Sequence, residues 1–117
     1  MLIKRSVKLA AGMVGVAAIA FLSGCAEQKT YGAVKFVSTP AGAEVVNLRD
    51  DATLCTSPCV TIWEGKEGRP EYVTIQMRKA GYREEITSMW VNTRYDSREQ
   101  AEQQPQDINI ELIKRGN

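Results

Sequence analysis

The side chains with the most chemistry in this chain are three thiols, Cys25, Cys55 and Cys59, in a sequence of 117 residues without a histidine. A thiol becomes a good nucleophile beside a base, usually an imidazole, and none exists here. Cys55 and Cys59 enclose Thr56, Ser57 and Pro58. Redox-active pairs are usually two residues apart, with a neighbour that lowers the thiol pKa. No Lys, Arg or His lies in this loop. Two thiols without a histidine also leave a tetrahedral zinc shell short. Asp50 and Asp51 are adjacent, but such a pair in a turn is usually solvated, and the other carboxylates form no recognisable constellation. The chain is therefore expected to have no catalytic residue, no metal and no cofactor, and not to be an enzyme.

Cys25 has a different context. Lys4, Arg5 and Lys8 precede a run of apolar and small residues, 9–22. A short basic region before an apolar core is the layout of a secretory signal. As a helix the 14 residues of that run would span roughly 21 Å, against a bilayer core of about 30 Å, so a spanning helix is the weaker reading. Leu22, Ser23, Gly24 and Cys25 then resemble the lipobox of bacterial lipoproteins. Small Ser23 and Gly24 let a peptidase approach the backbone, and the thiol of Cys25 is the atom that takes a diacylglyceryl group. The resemblance implies that residues 1–24 are a signal peptide, that the chain is cut before Cys25, and that the new amine is acylated. One acyl chain binds a membrane marginally; three would make release very slow. Residue 26 is Ala, whereas in enterobacterial lipoproteins an Asp there retains the protein in the inner membrane. The expected place is the outer membrane, lipid-anchored and facing the periplasm.

Cleavage changes the balance of charge. The remaining 93 residues (117 less 24) lose three basic residues and no acidic one, leaving 12 basic and 14 acidic. A net charge of −2 argues against nucleic acid, which needs a basic stripe, and against electrostatic adhesion to anionic lipid. The length supports one small domain, and such domains often need a covalent staple. In an oxidising periplasm a disulfide between Cys55 and Cys59 is expected. Its loop is short, so it removes little chain entropy and mainly fixes a turn.

Residues 25–32 read as a lipidated tether, polar and without apolar periodicity, reaching on the order of 25 Å when extended. From residue 33 to about 113 the pattern is strands and turns. Strands are expected over 34–38, 43–48, 59–63, 72–78, 83–91 and 108–112. The alternation is cleanest at 72–78, where Val73, Ile75 and Met77 share one face. Short strands at regular spacing, separated by turn residues, predict an all-β fold, a small antiparallel β-sandwich.

Ser38, Pro40, Gly42, Ala43 and Val45 resemble the opening of PEGA domains. Ser57 and Pro58 match that family's later turn, and Lys79, Gly81 and Tyr82 match its Lys-x-Gly-Tyr signature. The likeness covers residues 33 to about 91 and implies a transthyretin-like sandwich, with Gly81 in a tight reversal and no catalytic residue to carry over. Two departures from the family stand out: a charged loop over 64–70 and a polar insert over 92–106. In the insert, Ser97 and Gln100 fit a capping box and Pro105 would end a short helix, expected to lie in solvent.

An up-and-down strand order would bring both inserts to one end of the sandwich. Trp63 and Tyr72 flank the first, Trp90 and Tyr95 the second. Exposed aromatics with polar neighbours suit sugar stacking or protein contacts; the plainer reading leaves Trp90, which shares parity with Ile86, in the core. Trp63 shares parity with Thr61 and not with Val60 and Ile62, which places it on the solvent side. Two functions fit: a structural or adaptor lipoprotein that docks an envelope protein, or a glycan-binding module that touches peptidoglycan or surface polysaccharide.

Overall fold

The computed structural model describes residues 27–116. The signal peptide expected at 1–24, the lipobox expected at 22–25 and the lipidation expected at Cys25 lie outside the described residues. Among those described, the elements are β1 (Lys29–Thr39), β2 (Glu44–Asn47), β3 (Ala52–Thr56), β4 (Cys59–Lys66), β5 (Glu71–Arg78), β6 (Glu85–Val91), α1 (Arg98–Gln103) and β7 (Gln106–Glu111). They form a small β-sandwich. One sheet has the order β4-β1-β7 and the other β3-β2-β5-β6.

The alternation at β5 produces the core as expected. Val73, Ile75 and Met77 are buried between exposed or half-buried neighbours. They meet Val34 and Phe36 of β1, Val45 of β2, and Val91 and Leu112. Fully burying side chains of this size contributes about 1.5–3 kcal/mol each.

Three features differ from the sequence expectation. β3 has no counterpart among the expected strands, because Ala52–Thr56 lacks a period of two. Its pairing with β2 is irregular: Val45 faces Cys55 and Val46 faces Thr53, so Leu54 is left over as a bulge. Secondly, β1 begins inside the expected tether. Lys29 pairs with Lys66, and β4 runs correspondingly into the expected charged loop. Thirdly, one ladder is parallel: β7 runs alongside β1, from Val34 opposite Gln106 to Thr39 opposite Glu111. The cause lies in the segment after β6. It first meets β1 antiparallel, at Tyr31 and Tyr95. α1 then reverses the chain, and β7 returns in the direction of β1.

The two proline turns form one buried knot. The peptides Thr39-Pro40 and Ser57-Pro58 are both cis. The Ala43 N–H donates to Ser57 Oγ at 3.0 Å, and Ser38 Oγ donates to the Pro40 carbonyl at 2.7 Å. With that proton committed, the 2.5 Å contact between the two serine hydroxyls has Ser57 as its donor. Backbone bonds between Gly42, Ala43 and Ser57 complete the knot. Beside it, the disulfide between Cys55 and Cys59, with Cα atoms 6.2 Å apart, joins β3 in one sheet to β4 in the other. Gly81 turns the chain with φ of 87°, a left-handed conformation that glycine adopts without steric cost.

Candidate functional site

The four aromatics proposed from the sequence are placed by strand parity. In β1 the even-numbered residues from Thr30 to Ser38 are buried, so they point into the sandwich. Trp63 lies opposite Gly32 and therefore also points inward. Its ring meets that of Phe36 edge-on, with centroids 6.1 Å apart. Trp63 is half-buried at the border of the core. Val60 and Ile62, opposite Lys35 and Ala33, point outward instead. This reverses the expectation for β4. The strand is an edge, and α1 packs across β1 and β4, so apolar residues serve on both of its faces.

Tyr72 and Trp90 are directly opposite each other on β5 and β6. Both project from the outer face of their sheet, with ring centroids 5.0 Å apart and planes at 56°. They are 58% and 62% exposed, and Ile86, with the parity of Trp90, is 59% exposed. The core reading of Trp90 and Ile86 therefore fails. Between these apolar groups the Thr74 and Ser88 hydroxyls bond to each other at 2.8 Å. The result is an uncharged strip of Tyr72, Trp90, Thr74, Ser88 and Ile86 on an open sheet face.

Tyr95 stands apart. It exchanges two backbone hydrogen bonds with Tyr31, at 2.8 and 3.0 Å, and Tyr31 lies opposite Glu64, on the outward parity of β1. Tyr95 is thus at the same end of the sheet as Trp63 but on its other side. The four rings do not converge. Trp63 and Tyr72 line one cleft of about 390 Å³, together with Asn47, Arg49, Glu64 and Glu71. Tyr72 continues to Trp90 on the open face, and Tyr95 lines a separate cleft.

The polar insert is built into the fold rather than laid on it. Ser97 caps α1 by accepting from the Gln100 N–H at 3.2 Å, and the Gln100 side chain accepts from the Asp96 N–H at 3.1 Å. The capping signal in the sequence was sound. The expectation of a fully solvated helix was not: Ala101 is 0% exposed, and Ala33, on the outward parity of β1, is 2% exposed. The helix packs on β1, and small apolar residues buried on both elements permit this close approach, which a search for large apolar residues overlooks. Before the helix, Asn92 and Thr93 lie against Gly32 and Gly65. A Cβ on Gly32 would stand 2.7 Å from the Asn92 carbonyl carbon, and one on Gly65 would stand 2.6 Å from Thr93 Cβ. These glycines read as linker and loop; their role is to admit the crossing segment.

The chain matches no family model, no curated protein and no solved structure.

Proposed function

We propose that this protein is a non-enzymatic lipoprotein of the bacterial envelope, held on the outer membrane by lipid on Cys25, that docks a protein partner through the outer face of β5 and β6. The observation that carries the docking role is the Tyr72–Trp90 pair. Two large rings, more than half exposed, lie side by side on the outer face of the sheet. Tyr and Trp are over-represented among the residues that dominate binding energy. The strip around them carries no formal charge, which suits an apolar partner surface rimmed by polar groups. The lipobox-like residues 22–25 support the envelope assignment, and the PEGA-like turns support a sandwich as the tethered domain. With β1 starting at Lys29, only residues 25–28 would separate the lipid from the folded domain. That is a reach of about 13 Å at 3.3–3.6 Å per residue, and the sandwich would rest close to the headgroups.

A glycan-binding role is the second reading, favoured by the cleft in which Trp63 and Tyr72 stand beside Asn47, Glu64 and Glu71. An aromatic wall with a few polar groups is a common ligand-site composition.

The test is photocrosslinking in cells from position 88, with a crosslinkable amino acid in place of Ser88, which lies in the strip between Trp90 and Ile86 and leaves both rings in place. A discrete protein adduct, lost when Tyr72 is replaced by Ala, is the expected result. Adducts with sacculi alone would favour the glycan reading, and no adduct would remove the docking face. In parallel, Cys25→Ser is expected to leave the membrane fraction or remain unprocessed. Unchanged membrane retention and mass would overturn the anchor.

A further inference from the structure

A second cleft, of about 280 Å³, is lined by Ala33, Asn92, Arg94, Tyr95, Gln104, Pro105 and Gln106. It sits beside β1, between the point where Tyr95 pairs with Tyr31 and the point where Gln106 begins to pair at Val34. We propose that this cleft binds the carboxylate-bearing ring of an acidic sugar, with Arg94 as the carboxylate partner. The proposal goes beyond the docking role and uses neither Tyr72 nor Trp90.

The charge of the lining is one-sided. Among the described residues Arg94 is the only ionised side chain of the lining, and no carboxylate contributes. No carboxylate among the described residues stands within 4.0 Å of that guanidinium. Arg94 is instead held over the ring of Tyr95, 5.5 Å from its centroid. A guanidinium presents five donors in a planar fork that matches a carboxylate.

The amides around it are mostly fixed, and what they have spare suits a polyol. Gln106 Oε1 accepts from the Asn92 N–H at 2.7 Å, and its Nε2 donates to the Trp90 carbonyl at 3.1 Å. This locks the Gln106 side chain across the end of β6. Gln104 Oε1 accepts from the Tyr95 hydroxyl at 3.1 Å. Each of these amides keeps an N–H to offer, because the NH₂ group has two donors. Asn92 adds a further amide to the wall. The Tyr95 ring and Pro105 supply the apolar surface on which the C–H face of a sugar rests. A volume near the lower end of ligand pockets fits one ring rather than a long chain.

The cleft is also preformed. Asn92 and Thr93 are held against Gly32 and Gly65, the Tyr31–Tyr95 bridge fixes the next residues, and α1 is capped by Ser97. Little ordering is left for a ligand to impose, which favours binding by a small molecule.

The experiment is a titration of the full-length ¹⁵N-labelled protein in detergent micelles, followed by amide and side-chain N–H shifts. The probe is glucuronate, with glucose and acetate as controls. Glucuronate is expected to shift the signals of Asn92, Arg94, Gln104 and Gln106, and to leave those of Tyr72 and Trp90 in place. Glucose and acetate should each bind at least about tenfold more weakly, since each lacks one half of the recognised group. Arg94→Gln, a change at an exposed side chain, should reduce glucuronate binding to the level of glucose and leave the remaining spectrum unchanged. The proposal is overturned if glucuronate moves none of the four residues, if acetate or glucose binds as well as glucuronate, or if Arg94→Gln binds as the parent does.

Discussion

Thr93 occupies the space that a side chain on Gly65 would need. The buried threonine lies against the glycine in β4, and its hydroxyl donates to the carbonyl of Arg69. The segment that leaves β6 thereby closes the end of the sandwich over β1 and β4. Gly65→Ala places a methyl group 2.6 Å from Thr93 Cβ, which overpacks the site. We expect a loss of about 1–3 kcal/mol in denaturant unfolding. A variant as stable as the parent would show that the crossing segment is not packed there.

Ser57 is the middle member of a buried relay. Its hydroxyl accepts from Ala43 N–H and donates to Ser38 Oγ. Ser57→Ala strands a buried backbone donor and removes a partner from a buried hydroxyl. Leaving such groups unsatisfied costs about 1–3 kcal/mol. Urea unfolding midpoints of Ser57→Ala and Ser38→Ala should both fall. The double variant should lose less than the sum, because the two side chains share one bond.

The two tryptophans have separable signals. Trp90→Phe leaves the half-buried Trp63 as the emitter, and Trp63→Phe leaves the exposed Trp90. The first variant should fluoresce at shorter wavelength and resist quenching by iodide; the second should do the reverse. Trp63→Ala should also destabilise, by about 2–3 kcal/mol, somewhat less than the loss for a fully buried aromatic, whereas Trp90→Ala should change stability by under about 0.5 kcal/mol. Equal quenching of the two single-tryptophan variants would contradict the facing of β4.

The staple between Cys55 and Cys59 predicts thiols that react with maleimide only after reduction. Replacing both by Ala should cost about 1–3 kcal/mol, below the usual 2–4 because the closed loop is short. In a Cys25→Ser background, which removes the third thiol, reactive thiols in unreduced protein would contradict the bond.

Much of the sandwich is legible in the sequence because its strongest signal is local. Val73, Ile75 and Met77 alternate over one strand, and alternation is a property of neighbouring residues. The capping pair Ser97 and Gln100 is equally local. What the sequence concealed depends on residues far apart. Gly32 and Gly65 mark no strand by type, and only contact with residues 92 and 93 gives them a role. The parity of Val60 and Ile62 predicts the facing of a strand with one dry side, but not of β4, which a helix covers on the other. The aromatic edge was half legible. Tyr72 and Trp90 pair because β5 and β6 are consecutive strands of a hairpin. Tyr95 parts from them because the chain changes sheets after Val91, a step that no local pattern records.

The position of β1 has a mechanical consequence. It is the central strand of its sheet, held by β4 from Lys29 onward and by β7 from Val34 onward. A pull applied through the preceding chain enters at Lys29, along the axis of the strand. The load falls on two ladders at once and in shear, so their hydrogen bonds resist together rather than opening one after another like a zipper. The last strand of the domain thus clamps the first against traction.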